Sequence, residues 1–540
     1  MNKIVCKGGV KLKKFKSILA LLLGVILMGS LLAGCGGKAP DSTAGGADTT
    51  VSENTGTDAG EAGTAAAEET QKVVMAYITF NKVPDDMSRI NAAVSKLTKE
   101  KANIEVDLRP YGPVDFVQKV NLALASGEQL DVFLPSLGEF PSYVSKNQAY
   151  PLDDLITQYG KEMTAILDKD FGKDIYKATT MNGKIYAVPV NKGMALPLSF
   201  VYNADMLAET GFTADDIKSV EDLPRIFDAV KVKFPDVVPF APINVNPSDT
   251  NLVWLLRCLG EVDQLTDPSG VGVVLGDSGK VVNLYETDLF KNGVKMMRDW
   301  YQKGYMQKDV ATTTTNYLEM ASSGRAFSCL GGYSGNEAGK QLSAVSNKNI
   351  EMKRIAPFYF DTSAVNGVVW MIASTTDIPE AAMKLLNLVY SDVDVLNTIL
   401  WGVEGEDYVK VDEHHVKYPD GKTADTVGYT AALCSGLMGS ESLQYQAEGM
   451  NWDDIAFKLS ENKSTKRSPY FGFIFDPKDV KTELSAINSV KDQYLPVLAC
   501  GALDPETTLP KFLKALDDAG AQTIIQKKQE QLDKWLSEQK

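Results

Sequence analysis

Histidine is almost absent from this 540-residue chain, which contains only His414 and His415. Successive residues of a strand point to opposite faces of a sheet, so this adjacent pair does not converge easily on one metal ion or one substrate. Catalytic triads with a histidine base and metal sites built from several histidines are therefore disfavoured. We expect a protein that is not an enzyme and that holds neither a metal ion nor a cofactor.

Basic residues are outnumbered as well. The chain carries 55 lysines and arginines against 70 aspartates and glutamates, which gives a formal net charge of −15. Nucleic acids and anionic lipid surfaces are bound through basic patches. The acidic balance argues against both kinds of partner.

Cysteines at metal-binding or redox spacing are missing. No Cys-x-x-Cys occurs, which removes the common zinc and thiol–disulfide motifs. Four cysteines lie far apart in the main part of the chain, at Cys258, Cys329, Cys434 and Cys500. They are compatible with one or two disulfides outside the cell and equally with buried free thiols, and the sequence leaves both open.

Only one long apolar run is present, from Ser17 to Leu32. It is short for a membrane-spanning helix, which needs about 20 apolar residues. Six lysines and no acidic residue precede it, and small residues follow it, as in a secretory signal. The tetrapeptide that ends in Cys35, Leu-Ala-Gly-Cys, resembles the lipobox of bacterial lipoproteins. This resemblance implies cleavage after residue 34 and lipidation of Cys35; the alternative is a signal peptide with an incidental cysteine.

The next segment, residues 35–71, lacks the side chains that build a core. From Lys38 to Thr70 it consists almost entirely of Gly, Ala, Ser, Thr, Asp and Glu, with Val51 as its only large apolar residue. Such a composition cannot bury enough surface to offset the entropy of ordering. We expect a disordered linker that holds a folded body near the outer face of the membrane.

Regular patterning begins at residue 72. Apolar residues alternate as in strands or recur with helical spacing in the order β-α-β-α-β, over residues 73–78, 85–101, 104–108, 114–125 and 130–134. This order predicts a parallel sheet, and ligands of such sheets bind beyond the carboxyl ends of the strands. Asn81, Tyr111 and Ser136 stand at the ends of the three strands. We take them as candidate ligand-binding residues, with an exposed loop position as the alternative for each.

A second α/β region is predicted from Ser199 to about Pro357. It contains a strand at 200–203 and helices near residues 219–233, 249–259 and 287–303. Residues 364–373 are strand-like again, and the C-terminal third is predicted to be mostly helical.

Seven short stretches follow the lipobox in a fixed order. They are LASGE (124–128), NGKIYAVP (182–189), SVEDL (219–223), SGRA (323–326), PEAAM (379–383), WGVEGEDY (401–408) and GFIFD (472–476). Together they resemble the family-1 extracellular solute-binding proteins, the lipoprotein receptors of bacterial sugar ABC importers, and most closely the LipO-type subgroup. One departure is Asn182, where the family more usually has Asp.

The resemblance implies a two-lobe α/β fold of the periplasmic-binding-protein type (type II, like that of the maltose-binding protein) with a helical C-terminal extension. Crossing strands are expected near residues 186–191 and 358–367. The implied organisation is a lipoprotein signal peptide at 1–34, the lipidated linker at 35–71, lobe 1 at 72–190 plus 364–405, and lobe 2 at 191–363, with part of 406–540 completing lobe 2 and the helical region.

The function that the resemblance implies is that of a monomeric receptor, lipid-anchored on the extracellular face of the membrane. It would capture a carbohydrate, an oligosaccharide in our interpretation, by hinge closure and pass it to ABC permease subunits. A receptor for peptides or peptidoglycan fragments would keep the fold and change the ligand. A secreted glycosidase with paired carboxylates is a further alternative, without a motif in its favour.

Lobe 2 contributes further candidates in the loop after the predicted strand 325–330. Gly331 and Gly332 let the backbone approach a ligand, and relatives in the family often place a stacking aromatic where this chain has Tyr333. Tyr333 and, in the same loop, Asn336 are therefore candidate ligand-binding residues.

The start of the predicted helix 249–259 is a second candidate region of lobe 2. The resemblance places such a helix start at the cleft, which favours Asp249 and Asn251, although Asp249 is nearly as well explained as an N-cap. Trp254 and Trp370 are predicted to be core residues. Trp401 packs beneath its neighbouring loop or lines the cleft, and the sequence leaves both open.

Overall fold

A computed structural model describes residues 69–243 and 251–539 of the chain. Its strands are β1 (Gln71–Ile78), β2 (Ile104–Tyr111), β3 (Val132–Phe133), β4 (Thr180–Met181), β5 (Lys184–Ile185), β6 (Val188–Pro189), β7 (Leu198–Asn203), β8 (Val238–Phe240), β9 (Val262–Asp263), β10 (Val271–Leu275), β11 (Val281–Asn283), β12 (Ala326–Gly332), β13 (Ile350–Ala356), β14 (Val369–Ile372), β15 (Val409–Lys410), β16 (His415–Lys417) and β17 (Gln446–Ala447).

The α-helices are α1 (Ser88–Ala102), α2 (Phe116–Ser126), α3 (Phe140–Ser145), α4 (Asp153–Tyr159), α5 (Lys161–Phe171), α6 (Ala204–Glu209), α7 (Leu223–Lys233), α8 (Asn251–Leu259), α9 (Asp288–Gln302), α10 (Tyr317–Ser322), α11 (Ala338–Ser346), α12 (Thr362–Asn366), α13 (Pro379–Ser391), α14 (Val393–Trp401), α15 (Asp453–Ser464), α16 (Lys481–Ala499), α17 (Pro505–Asp518) and α18 (Ala521–Glu538). Within the described ranges, no helix combines the length and the apolar character that a membrane span requires.

The first sheet confirms the predicted β-α-β-α-β order. Its strands lie in the order β2-β1-β3-β14-β6, and β1 pairs in parallel with both β2 and β3. Helix α1 buries Ile90, Val94 and Thr98, and it is followed by Asn103, whose left-handed backbone (φ 54°) turns the chain into β2. The carboxyl ends of β1, β2 and β3 therefore share one edge of the sheet.

Apolar side chains from distant parts of the chain form the first core around this sheet. Residues 73–77 of β1 are at most 1% exposed, and helices α13 and α14 belong to the same core. Tyr408, Tyr429 and Met438 join it as well. The stretch that follows α14 thus packs against the first sheet.

The second sheet has the strand order β13-β7-β12-β8, in which only β12 and β8 are parallel. Its core is aromatic: the ring centroid of Phe227 lies 5.6, 5.4 and 5.2 Å from those of Phe240, Trp300 and Tyr305. Helices α16, α17 and α18 pack into this core, for example through Phe512. The C-terminal region is therefore part of the second core.

Three segments connect the two sheets. The chain leaves the first sheet after β6 and enters the second at β7, and it returns between β13 and β14. These two segments touch, because the N–H of Val190 donates to the carbonyl of Val368 at 3.3 Å. The third segment, which runs through residues 466–468 between α15 and α16, pairs with the second: the Phe360 N–H donates to Lys466 O at 3.0 Å and the Ser468 N–H donates to Phe360 O at 2.9 Å.

Two predictions of local structure need correction. Residues 364–373 do not form one strand, because the Asp361 carboxylate accepts the Ala364 N–H at 3.0 Å and caps α12, and the strand starts only at Val369. The C-terminal third contains α12, α13 and α14 and the helices from Asp453 onward, with a non-helical stretch between them. Glycines and a proline interrupt residues 402–450, which form short strands and 3-10 turns.

Candidate functional site

The three sequence candidates of the first sheet lie on adjacent strand ends. The Thr79 N–H donates to Tyr111 O at 2.8 Å, which brings the loop that holds Asn81 beside the end of β2. The Asn81 Oδ1 accepts the N–H of Leu433 at 3.0 Å. Ser136 follows β3, and its N–H donates to the hydroxyl of Tyr143 at 3.4 Å. All three side chains are half-buried at this edge.

Large apolar side chains stand exposed at the same edge. Phe80, Val114 and Leu137 follow β1, β2 and β3 and are 49%, 86% and 55% exposed. Leu433, whose backbone binds Asn81, is 64% exposed. We call these four residues the apolar rim. Exposed apolar groups clustered at one edge are typical of a binding surface.

At the second sheet, two aromatic rings pack against bare backbone where β12 ends. A Cβ atom on Gly331 would lie 2.6 Å from the ring of Tyr333, and one on Gly332 would lie 2.6 Å from the ring of Trp254. Neither space admits a side chain, so glycine is required at both positions. The N–H of Tyr333 also donates to Pro197 O at 3.3 Å, which ties the turn to the first connecting segment.

Four buried polar atoms around this turn have no hydrogen-bond partner in the described part of the chain. They are Asn251 Oδ1, Trp254 Nε1, Tyr317 Oη and Ser334 Oγ, which we call the polar quartet. Other atoms of two of these residues are fixed: the Asn251 Nδ2 donates to Ala241 O and the Tyr317 N–H donates to Pro242 O, both at 2.7 Å. An unpaired buried polar group is costly, and four in one place need an explanation.

A charged group lies directly behind the Trp254 ring. The Arg257 guanidinium is 5.3 Å from the centroid of that ring and 5.7 Å from that of Phe358. Burial and the neighbouring Asp263 raise the pKa of Asp361 to about 7, and Arg257 opposes this rise. The polar quartet therefore adjoins a buried set of charges.

Helix α15 holds the loop after Tyr333. The Asn336 N–H donates to the Asp454 carboxylate at 2.6 Å, while the Asn336 side chain is exposed. Asn462, two turns further on, accepts the N–H groups of Met194 and Ala195 at 2.8 and 3.1 Å. One helix thus fixes both this loop and the first connecting segment.

The remaining candidate residues are either outside the described ranges or packed in a core. Asp249 and Cys35 lie outside the described residues. Trp370 is fully buried and donates its Nε1–H to Leu437 O, and Trp401 is buried against Tyr445 O, so both are core residues. Trp254, predicted for the core, packs against the second core, where it is half-buried with an unpartnered Nε1.

Sequence reasoning did not select Tyr317 or Ser334. The Gly-Gly pair before Tyr333 was the available signal for close packing at this turn. Nothing in the local sequence marks Tyr317, because its place beside the turn depends on strand pairing between β8 and β12.

The residues with metal-binding or redox chemistry lie elsewhere. His415 pairs with Asp412 and with Met450 O, whereas His414 stacks on Trp452 at a centroid distance of 4.0 Å, so the two histidines do not converge. Within the described residues, no group of three or more His, Cys, Asp or Glu side chains could hold a metal ion. The cysteines Cys258, Cys329, Cys434 and Cys500 are free thiols.

Two α/β bodies joined by short segments define the two-lobe type II binding-protein fold. The chain belongs to the bacterial extracellular solute-binding proteins, whose family model matches residues 92–400. A further model, described as a domain of unknown function, matches residues 469–537.

Relatives of known class cover most of the chain. A carbohydrate ABC transporter substrate-binding protein of Streptococcus pneumoniae is 30% identical over 488 residues, which are 88% of this chain and 93% of that protein. The crystal structure of the N-glycan transport solute-binding protein NgtS from the same species has a TM-score of 0.74 at 28% identity, over 87% of this chain and 100% of that one. In complex with Man1GlcNAc and Man5GlcNAc, NgtS gives TM-scores of 0.65 and 0.63, at 28% and 27% identity. These relatives are binding proteins.

Proposed function

We propose that this protein is the carbohydrate receptor of an ABC importer, with the sugar held between the two lobes and then passed to a membrane permease. The observation that carries the proposal is the polar quartet beside two aromatic rings. Sugar hydroxyls both donate and accept hydrogen bonds, and their C–H faces pack on aromatic rings. A sugar would therefore supply the hydrogen bonds that the polar quartet lacks.

The relatives favour an oligosaccharide as the ligand. The NgtS complexes contain Man1GlcNAc and Man5GlcNAc, so glycans of mannose and N-acetylglucosamine are the first ligands to test. The lower TM-scores of these complexes, compared with 0.74 for the NgtS structure itself, are what a change in lobe arrangement on binding would produce. We propose the same closure here, in a monomer.

The proposed lobes follow the two cores. Lobe 1 would comprise residues 72–190 and 364–405, extended by the stretch to residue 438 that packs in the first core. Lobe 2 would comprise residues 191–363 and the helices from residue 481 onward.

The binding test is thermal unfolding of the purified protein against a panel of ligands: Man1GlcNAc, Man5GlcNAc, other oligosaccharides, monosaccharides and short peptides. A ligand at 100 times its dissociation constant stabilises by about 2.7 kcal/mol, a shift of a few degrees in Tm for a chain of this size. We expect a saturable shift with one oligosaccharide class and no consumption of it. A shift with peptides alone would overturn the sugar assignment, and turnover of a sugar would favour the glycosidase alternative.

The membrane anchor is a separate proposal, which rests on the lipobox sequence. Lipidation of Cys35 would keep the protein on the extracellular face of the membrane. A Cys35→Ser variant should appear in the culture medium, whereas the unaltered protein should stay in the membrane fraction and carry a diacyl mass on its N-terminal peptide. Equal partitioning of the two proteins would contradict the anchor.

A further inference from the structure

Lys528, in the middle of the last helix α18, is 0% exposed. Its ammonium donates to Val271 O at 3.0 Å and to Gly272 O at 2.9 Å, and it lies 2.7 Å from Asp267 Oδ2. An ammonium has three N–H donors, so each donor has an oxygen partner. A fully buried lysine is rare unless it is paired, and here the pairing is complete.

The surrounding segment is shaped for this ammonium. A Cβ atom on Gly272 (φ 84°) would lie 2.5 Å from the Lys528 Cδ, so only glycine leaves room for the side chain. Asp267 is itself oriented, because it accepts from the Ser269 N–H at 3.0 Å and from the Ser269 hydroxyl at 2.7 Å. The Phe475 ring lies over the ammonium with its centroid 5.1 Å away.

The charges around this site favour a cation. Burial alone would raise the pKa of Asp267, but the charge and hydrogen bond of Lys528 outweigh it and hold that pKa below its usual value. Asp263 adds a second buried carboxyl group close by, and an opposing charge is Lys491, which donates to Pro268 O at 2.8 Å. A carboxylate and two carbonyls are the hard oxygen donors that bind ammonium, Ca²⁺ or Mg²⁺.

We infer that residues 267–272 form a structural cation site of the second core and that the Lys528 ammonium is its tethered occupant. The helix that supplies this cation lies in the region matched by the domain of unknown function. That region thus completes the second core by neutralising Asp267 from within. This inference does not depend on the ligand of the receptor.

The first test is the melting temperature of the purified protein with Lys528→Met, which keeps the length of the side chain and removes the charge. Breaking a buried pair leaves an unpaired charge, and we expect Tm to fall by about 5 °C or more. Lys527→Met is the matched control: the neighbouring Lys527 pairs with Glu530 at the surface, and its replacement should change Tm by less than about 1 °C.

The second test is chemical rescue of Lys528→Ala, whose shortened side chain leaves the oxygen site vacant. Methylammonium or Ca²⁺ should raise its Tm by several degrees and should not stabilise the unaltered protein. Tetramethylammonium, which has no N–H donor, and NaCl at equal ionic strength are the controls. Rescue should disappear in Lys528→Ala with Asp267→Asn. If Lys528→Ala shows no folded signal by circular dichroism, recovery of that signal with methylammonium is the supporting result.

Two outcomes would overturn the inference. One is a Lys528→Met variant with the same Tm as the unaltered protein. The other is additivity: if Lys528 neutralises Asp267, the double variant Asp267→Asn, Lys528→Met must be less destabilised than the sum of the two single variants. Additive effects, with no rescue by either cation, would show that Lys528 only fills space.

Discussion

At the carboxyl edge of the first sheet the apolar rim stands in solvent, whereas at the end of β12 in the second sheet the polar quartet is buried near the rings of Trp254 and Tyr333. A ligand at the first edge would cover exposed apolar side chains. A ligand at the second would give hydrogen-bond partners to polar atoms that have none. Enclosed groups are already ordered and desolvated, so contacts made there cost less on binding. We therefore expect most of the affinity to come from the second lobe and the first lobe to cover the bound ligand.

The largest expected effect is that of Tyr333→Ala. If the enclosed side dominates, loss of this ring should weaken sugar binding on the order of 100-fold, a size typical of an aromatic hot spot. Isothermal titration with the best ligand of the panel would measure it. Tyr159→Ala is the control, since that ring lies under Lys384 on α13, in the first core, and its loss should leave affinity unchanged. Equal sugar affinities of Tyr333→Ala and the unaltered protein would mean that the turn at Tyr333 does not dominate binding.

A smaller and more selective effect is expected for Tyr317→Phe. The hydroxyl of Tyr317 is buried without a partner, so its removal should raise the Tm of the free protein slightly while sugar affinity falls about fivefold to tenfold. Opposite changes in stability and affinity are the signature of a group that only the ligand satisfies. A fall in both would mean that the hydroxyl serves the fold alone.

Substitutions in the apolar rim should reduce sugar affinity less than substitutions at the turn of Tyr333. Phe80→Ser removes an exposed ring, and we expect sugar affinity to fall by about threefold or less with an unchanged Tm. The same titration measures it. A loss as large as that of Tyr333→Ala would place the main sugar contact on the first lobe.

The enclosed side should also respond to pH. Because the pKa of Asp361 is raised to about 7, the folded protein binds a proton there that the unfolded chain releases near its ordinary pKa of 3.8. The folded state therefore loses stability as pH rises from about 4 to about 7. Asp361→Asn should flatten the dependence of Tm on pH between 5 and 8 by a few degrees, whereas Phe80→Ser should not alter it. Parallel pH curves for Asp361→Asn and the unaltered protein would contradict this.

The sequence predicted the first sheet well because its signals are local. Alternation and helical spacing within residues 73–134 define each element, and parallel pairing follows from their order. A loop after the strand that ends near residue 330 was also predicted, but its glycines were expected to let the backbone approach a ligand, whereas Gly331 and Gly332 make room for the rings of Tyr333 and Trp254. By contrast, α12 was missed, since it depends on a single capping carboxylate at Asp361 within an otherwise strand-like stretch.

The rest of the site could not be predicted because it depends on long-range packing. Tyr317 reaches the turn only through the pairing of β8 with β12, and outside the site Lys528 likewise meets Asp267 from a distant part of the chain. In the sequence, Lys528 occupies an ordinary position of an amphipathic helix. Periodicity indicates which face of a helix is buried but not which partner a buried charge will find.

The three hydrogen-bonded segments between the sheets have a mechanical consequence. Segments joined side by side, as at Val190–Val368 and Phe360–Ser468, form a ribbon that resists twisting and shear more than bending. We therefore expect motion between the lobes to follow one angular coordinate. A single pair of probes, one on α1 and one on α7, would then report the whole opening angle. Ligand binding would change the distance between the two probes from one value to another, without a spread of lobe orientations.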